Sequence, residues 1–186
     1  MVETQSNIDE ETQVEDDLVR AAKKNPQAFE ALYLHYVKGI YRYLYSRMGS
    51  RADAEDATAQ TFLSALEGFD RYRHDGHFGA WLFAIARRKA ADHFRLAGRS
   101  QFLSDDLLAK EPDLQQQADH DERLRALMQA ITSLDEEEQE LIRLRFAAQL
   151  GFAEIAKLMG RKEDALKKSL YRLLDRLQSQ LEGSND

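Results

Sequence analysis

The sequence predicts an all-α fold, with two small helical domains joined by an acidic flexible linker and the second of them a helix-turn-helix domain. Three observations predict it. The 186 residues include only 2 Pro and 9 Gly against abundant Ala, Leu, Glu, Arg and Gln, a balance that favours helices over a turn-rich sheet sandwich. Apolar residues recur at three- and four-residue intervals, the period of one helix face. That periodicity lapses between Ala97 and Asp119, where the chain is too polar to build a core.

Residues 1–16 are acidic and lack apolar periodicity, and are expected to form a disordered arm. A first domain is expected over 17–98. It opens with a short helix from Asp17 to Lys24, after which Asn25-Pro26 reads as a cap followed by a first-turn proline. Phe29, Leu32, Tyr33, Tyr36, Ile40, Tyr43 and Leu44 then form the apolar face of a long helix ending near Gly49. The next helix, from about Ala52, carries Ala54, Ala57, Phe62, Leu66 and Phe69 inward and an acidic, polar set outward. A loop at 71–77 leads into a helix over 78–95, with Phe78, Leu82, Ile85 and Ala86 at helical spacing.

The linker is 99–121, and a second domain is expected over 122–182, with a tail at 183–186. Leu124, Leu127, Met128 and Ile131 restart the periodicity. Asp135 and Glu138 stand at capping-box spacing. Phe152 to Met159, Gly160 and Glu163 to Leu181 then make a helix–turn–helix candidate, with Leu166, Leu170, Leu173, Leu177 and Leu181 on its buried stripe.

The net charge of −7 is unevenly spread. Residues 1–17 hold seven carboxylates and no Lys or Arg, and 101–122 holds seven carboxylates against Lys110. The balancing cations cluster at Arg87, Arg88, Lys89, Arg95 and Arg99, and again at Arg161, Lys162, Lys167, Lys168, Arg172 and Arg176. Such segregation predicts two basic faces on separate bodies. The absence of Cys excludes a disulfide framework and thiolate chemistry, and five His without Cys partners argue against a structural metal site. No apolar run approaches the length of a bilayer span, and the acidic amino terminus is unlike a secretory signal. A cytoplasmic chain without metal, cofactor or catalytic residues is expected. Scattered carboxylates such as Asp53, Glu55 and Asp56 read as a solvated or partner-facing surface.

Two constellations carry the functional reading. In the helix–turn–helix candidate, Ala156 allows close helix approach and Gly160 tolerates the turn. Lys167, Lys168, Tyr171 and Arg172 fall opposite Leu166 and Leu170, where they can reach phosphates and base edges in a major groove. A helical hairpin with a solvated basic face would share this spacing. In the first half, Phe69, Tyr72, Phe78, Trp81, Phe83 and Phe94 are interleaved with Arg71, Arg73, Arg87, Arg88 and Lys89. Rings on which bases stack, beside cations that follow phosphates, suit single-stranded DNA. Most of these rings are expected in the core, with one or two facing DNA.

The run DAEDATAQTFLSALEGFDRYR at 53–73, with FGAWLFAIARRKAADHFR after it, resembles the first conserved domain of the extracytoplasmic-function sigma factors. SLDEEEQELIRLRFAAQLGFAEIAKLMGRKEDALKKSLYRLLDRL resembles their second. The resemblance implies a protein that binds bacterial core RNA polymerase at the β′ clamp and β flap and directs promoter recognition and melting. It also implies an anti-sigma factor as partner, a monomer when free and no membrane insertion. Asp53, Asp56, Gln60, Leu63 and Glu67 match the clamp-binding helix. Arg73, His74, Asp75, His77, Phe78, Trp81, Arg87, Arg88, Lys89 and Arg95 match the minus-10 reader, in which the loop captures a flipped base. Arg161, Lys162, Lys167, Lys168, Tyr171 and Arg172 match the minus-35 reader. The chain departs from the usual pattern at Ala59, Arg88 and Ser169. The acidic linker reads either as a mimic of nucleic acid in the polymerase channel or as a soluble hinge. The rival readings are a stand-alone helix-turn-helix regulator and a sigma-like mimic acting only through protein contacts.

Overall fold

In a computed structural model, described for residues 2–73, 77–97 and 125–183, the described residues are almost entirely helical. Helix α1 (Val2–Lys24) is followed by a 3₁₀ turn at Pro26–Ala28, α2 (Phe29–Met48), α3 (Arg51–Gly68), a second 3₁₀ turn at Phe69–Arg71 and α4 (Phe78–Ala97). The second body holds α5 (125–132), α6 (Glu136–Ile142), α7 (Phe152–Met159) and α8 (Glu163–Gly183). The expected linker at 99–121 lies outside the described residues.

The helix ends follow from local chemistry. Asn25 accepts the Gln27 N–H at 3.1 Å, Ser50 accepts that of Asp53 at 3.4 Å, and Asp135 accepts that of Glu138 at 2.8 Å, satisfying amides that have no intrahelical acceptor. Gly49 and Gly160 close α2 and α7 in the left-handed region, at φ 69° and 65°. Arg143–Ala147 continues α6 as a π-helical segment.

Leu32, Ile40, Tyr43 and Leu44 of α2 pack with Ala54, Phe62 and Ala65 of α3 and with Phe78, Leu82, Phe83 and Ala86 of α4. Each large apolar side chain so buried contributes about 1.5–3 kcal/mol. Leu66 faces out, at 50% exposure, contrary to its expected inward position.

The expected arm at 1–16 is helical from Val2 onward, within the helix that runs on to Lys24. Its inward face is Glu15, Val19 and Ala22, all buried. A buried carboxylate bound to backbone amides leaves no apolar period to read, which is why the segment resembled solvated chain.

The two bodies touch. Leu141, Leu144, Ile155 and Leu166 belong to the same buried cluster as the core of α1–α4. Two helix glycines lie at the junction: a β-carbon on Gly39 would stand 3.2 Å from the Ala148 carbonyl, and one on Gly79 would overlap the Glu154 carboxylate. Gly costs about 0.5–1 kcal/mol relative to Ala inside a helix. Here it admits the second body.

Candidate nucleic-acid interface

Helix α4 divides its surface by period. Phe78, Leu82, Phe83, Ala86 and Ala90 face the core, which leaves Arg88 and Arg95, seven residues apart, on the outer side, with Trp81 one further heptad back at the edge of the core. Arg88 and Arg95 are exposed, and Arg95 pairs with Asp92 at 3.1 Å. Arg73 is exposed, His77 and Lys89 are half-buried, and His74 and Asp75 lie outside the described residues.

The rings sort as burial demands. Phe69, Tyr72 and Phe78 pack edge-on and stacked at centroid distances of 5.4–6.4 Å. Phe78 is fully buried. Its expected contact with DNA is therefore corrected: a ring at the first turn of α4 fills the core between Tyr36 and Tyr72. Trp81 is half-buried, 4.9 Å from Tyr72, and is the ring of this cluster with a face toward solvent.

Arg87 stands on the flank of α4 and meets the second body. Its Nε lies 3.5 Å from Glu140, a carboxylate only 2% exposed. Glu140 also accepts from Tyr43 Oη at 2.7 Å and Arg47 Nη1 at 2.5 Å, and has Arg143 at 3.8 Å. Burial, with the Glu140 charge added, pushes the Tyr43 phenol well above its ordinary range, so it remains a donor. Burial lowers the Arg143 guanidinium. Sequence reading missed this centre, because Glu140 follows Glu136, Glu137 and Glu138 in what looks like a solvated acidic face.

On α8, Leu166, Leu170, Leu173 and Leu177 are buried, while Lys168, Tyr171 and Arg172 are exposed. Tyr171 is 64% exposed. Lys167 sits at the flank, paired with Glu163 at 2.6 Å and 5.6 Å from the Phe152 ring. Lys162 is exposed. Arg161 is half-buried and is bound back onto the body by Glu137 at 2.6 Å and Ser169 at 3.0 Å.

Helix α3 has no Lys or Arg after Arg51. Asp56, Gln60, Leu63 and Glu67 form one exposed stripe, in which Gln60 donates to Asp56 at 2.6 Å and Leu63 is 61% exposed. Asp53 is half-buried, 3.7 Å from His93 Nε2 of α4. Beside the stripe runs an open groove of about 420 Å³, lined by Tyr33, Val37, Tyr41, Arg51, Glu55, Thr58 and Ala59. The signal for it was present: Tyr33, Val37 and Tyr41 recur every four residues along one face of α2.

Residues 32–100 match the family model of sigma-70 region 2, and residues 124–177 that of sigma-70 region 4. The chain is 30% identical to the ECF RNA polymerase sigma factor ShbA of Streptomyces griseus, over 92% of this chain and 97% of that one. It belongs to the extracytoplasmic-function sigma factors. Its identity to the ECF sigma factor BldN of Streptomyces coelicolor is 39% over 158 residues, 82% of this chain; this sigma factor spans 60% of BldN's length. Its fold is similar to that of the sigma factor RpoE in complex with the anti-sigma factor NepR from Bartonella quintana, with a TM-score of 0.60 and 23% identity over 83% of this chain and 96% of that one. Among the described residues, no helix is long and apolar enough to cross a membrane.

Proposed function

We propose that this sigma factor binds bacterial core RNA polymerase through the exposed face of α3 and directs promoter recognition and melting through α4 and α8. The observation that carries the reading is the division of charge between faces: α3 presents carboxylates, an amide and apolar surface, whereas α4 and α8 present cations. A face without cations suits a protein partner at the β′ clamp, with Asp56, Gln60, Leu63 and Glu67 as contacts. Cationic faces suit phosphates, whose bound counterions are released on contact.

In this mechanism the second domain, 122–182, docks Lys168, Tyr171 and Arg172 in the minus-35 major groove while the β flap supports it. The first domain, from α1 to about residue 98, lays Arg88 and Arg95 along the minus-10 strand, with His77 and Trp81 nearest the extruded bases. Each extruded base costs a few kcal/mol, offset by stacking and phosphate neutralisation. No bond is made or broken, and neither metal nor cofactor takes part. The protein works in the cytoplasm as a monomer when free. An anti-sigma factor that covered α3 or held the two bodies together would silence it.

The test is a fluorescence-anisotropy titration of promoter DNA at fixed salt, with and without core polymerase and with core alone as control. Free protein, with Arg87 engaged by Glu140, is expected to bind duplex poorly. Holoenzyme is expected to bind well, and a premelted minus-10 bubble better still. Tight sequence-specific binding by the free chain, unaffected by core, would favour a stand-alone regulator.

A further inference from the structure

Helix α1 touches the minus-10 unit at two places, through side chains of opposite charge. At one, Lys23 Nζ donates to the carbonyls of Phe69 at 2.5 Å and Asp70 at 3.2 Å and lies 4.8 Å from the Phe69 ring. At the other, the buried Glu15 carboxylate accepts the N–H groups of Phe78 at 2.8 Å and Gly79 at 3.2 Å, and the Tyr36 hydroxyl. Lys23 meets the carbonyl end of the turn that follows α3. Glu15 meets the amide end of α4. Each charge therefore has the sign that the local backbone dipoles favour.

The spacing matches the task. Glu15 and Lys23 are eight residues apart, about 12 Å along a helix axis, and Val19 and Ala22 between them are buried against the same body. One rigid helix thus ties Phe69–Asp70 to Phe78–Gly79, the two ends of the chain that brackets His77. Burial, with Glu15 and Glu154 nearby, raises the Tyr36 phenol, which remains protonated as a donor to Glu15.

We propose that α1 is a splint for base capture, in which Glu15 and Lys23 are positioning residues that hold the first turn of α4 against the end of α3 and so aim His77 and Trp81. This rests on the reading of α4 as the minus-10 helix. A carboxylate that only stabilised the fold would lower affinity for core and for every DNA in parallel. A splint acts on the step in which bases leave the stack.

The experiment uses full-length protein with core polymerase and measures the ratio of affinities for a premelted minus-10 bubble and the intact duplex, alongside core affinity and melting temperature. Glu15→Gln and Lys23→Met are expected to lower that ratio about tenfold, the scale of one charge-assisted hydrogen bond. Core affinity should stay within about twofold, because the α3 face is untouched, and Lys23→Arg should retain the ratio. Val19→Ala, which loosens α1 without removing either tie, is the stability control. If it lowers the ratio as much as Glu15→Gln at equal loss of melting temperature, the splint is overturned. The double variant His77→Ala/Trp81→Ala separates the two levels. A ratio lost there but kept in Glu15→Gln and Lys23→Met overturns the splint alone, and a ratio kept in all of them overturns the minus-10 reading as well.

Discussion

Helices α4 and α8 both carry basic faces, and they are built differently. On α4, Arg87 approaches a buried carboxylate of the other body, where Tyr43, Arg47 and Arg143 also converge on Glu140. On α8, Lys168 and Arg172 project from an apolar stripe, and their pairing is local: Arg172 donates to the Lys168 carbonyl at 3.2 Å. The lesson is one of coupling. Arg87 of α4 takes part in interdomain electrostatics and can serve DNA only by altering them, whereas Lys168 and Arg172 of α8 can be exchanged without disturbing the fold.

The largest effect expected from that contrast is at its centre. Glu140→Ala removes the buried carboxylate beside Arg143 and leaves Arg47 with Glu136 alone, at 3.4 Å, and loss of one partner from such a cluster costs about 3–5 kcal/mol. Denaturant melting should show that loss, whereas Glu163→Ala, which removes the partner of Lys167 on α8, should leave the transition where it was. Equal shifts in the two variants would erase the distinction.

A smaller effect is expected at Gly79. Alanine there places a methyl group on the Glu154 carboxylate and near the Tyr36 hydroxyl, so the bodies should separate while α4 keeps its helix. Because the chain has no native Cys, dyes placed through Ala84→Cys and Asp175→Cys report the separation by energy transfer. Lower transfer in Gly79→Ala is expected. Unchanged transfer would mean that the Glu154 side chain steps aside and does not govern the junction.

The smallest change in stability belongs to α8. Lys168→Ala and Arg172→Ala should each move the unfolding free energy by less than about 0.5 kcal/mol. Each should also make the salt dependence of holoenzyme–promoter binding shallower by about 0.9 for every phosphate contact removed. Arg87→Ala should instead change both quantities, which sharpens the comparison.

The legible parts of this molecule were those governed by local rules. The faces of α2, α4 and α8, the caps at Asn25 and Asp135 and the turn at Gly160 follow from periodicity and short-range hydrogen bonding. The exposed stripe from Asp56 to Glu67 is equally a matter of helical spacing. What escaped was set by distant partners. Glu15 binds amides 63 and 64 residues away, and nothing in an acidic amino-terminal run marks one carboxylate as buried. Glu140 looks like its exposed neighbours until Tyr43 and Arg47 arrive from α2. Phe78 already stood on the apolar spacing of Leu82 and Ala86, and its burial decides for that spacing over the DNA contact that the resemblance implied.

The contact between the two bodies also sets a question of reach. Elements named for positions minus 10 and minus 35 are about 25 base pairs apart, or about 85 Å along a duplex that rises about 3.4 Å per pair. On the proposed reading of α4 and α8 the bodies must part before both elements are occupied, and the 27 residues numbered 98–124 set how far they can do so. Fully extended, those residues cannot span more than about 90–97 Å. One residue of that length is worth about one base pair, so on this reading the count of residues between Ala97 and Arg125 bounds the promoter spacing the protein can bridge.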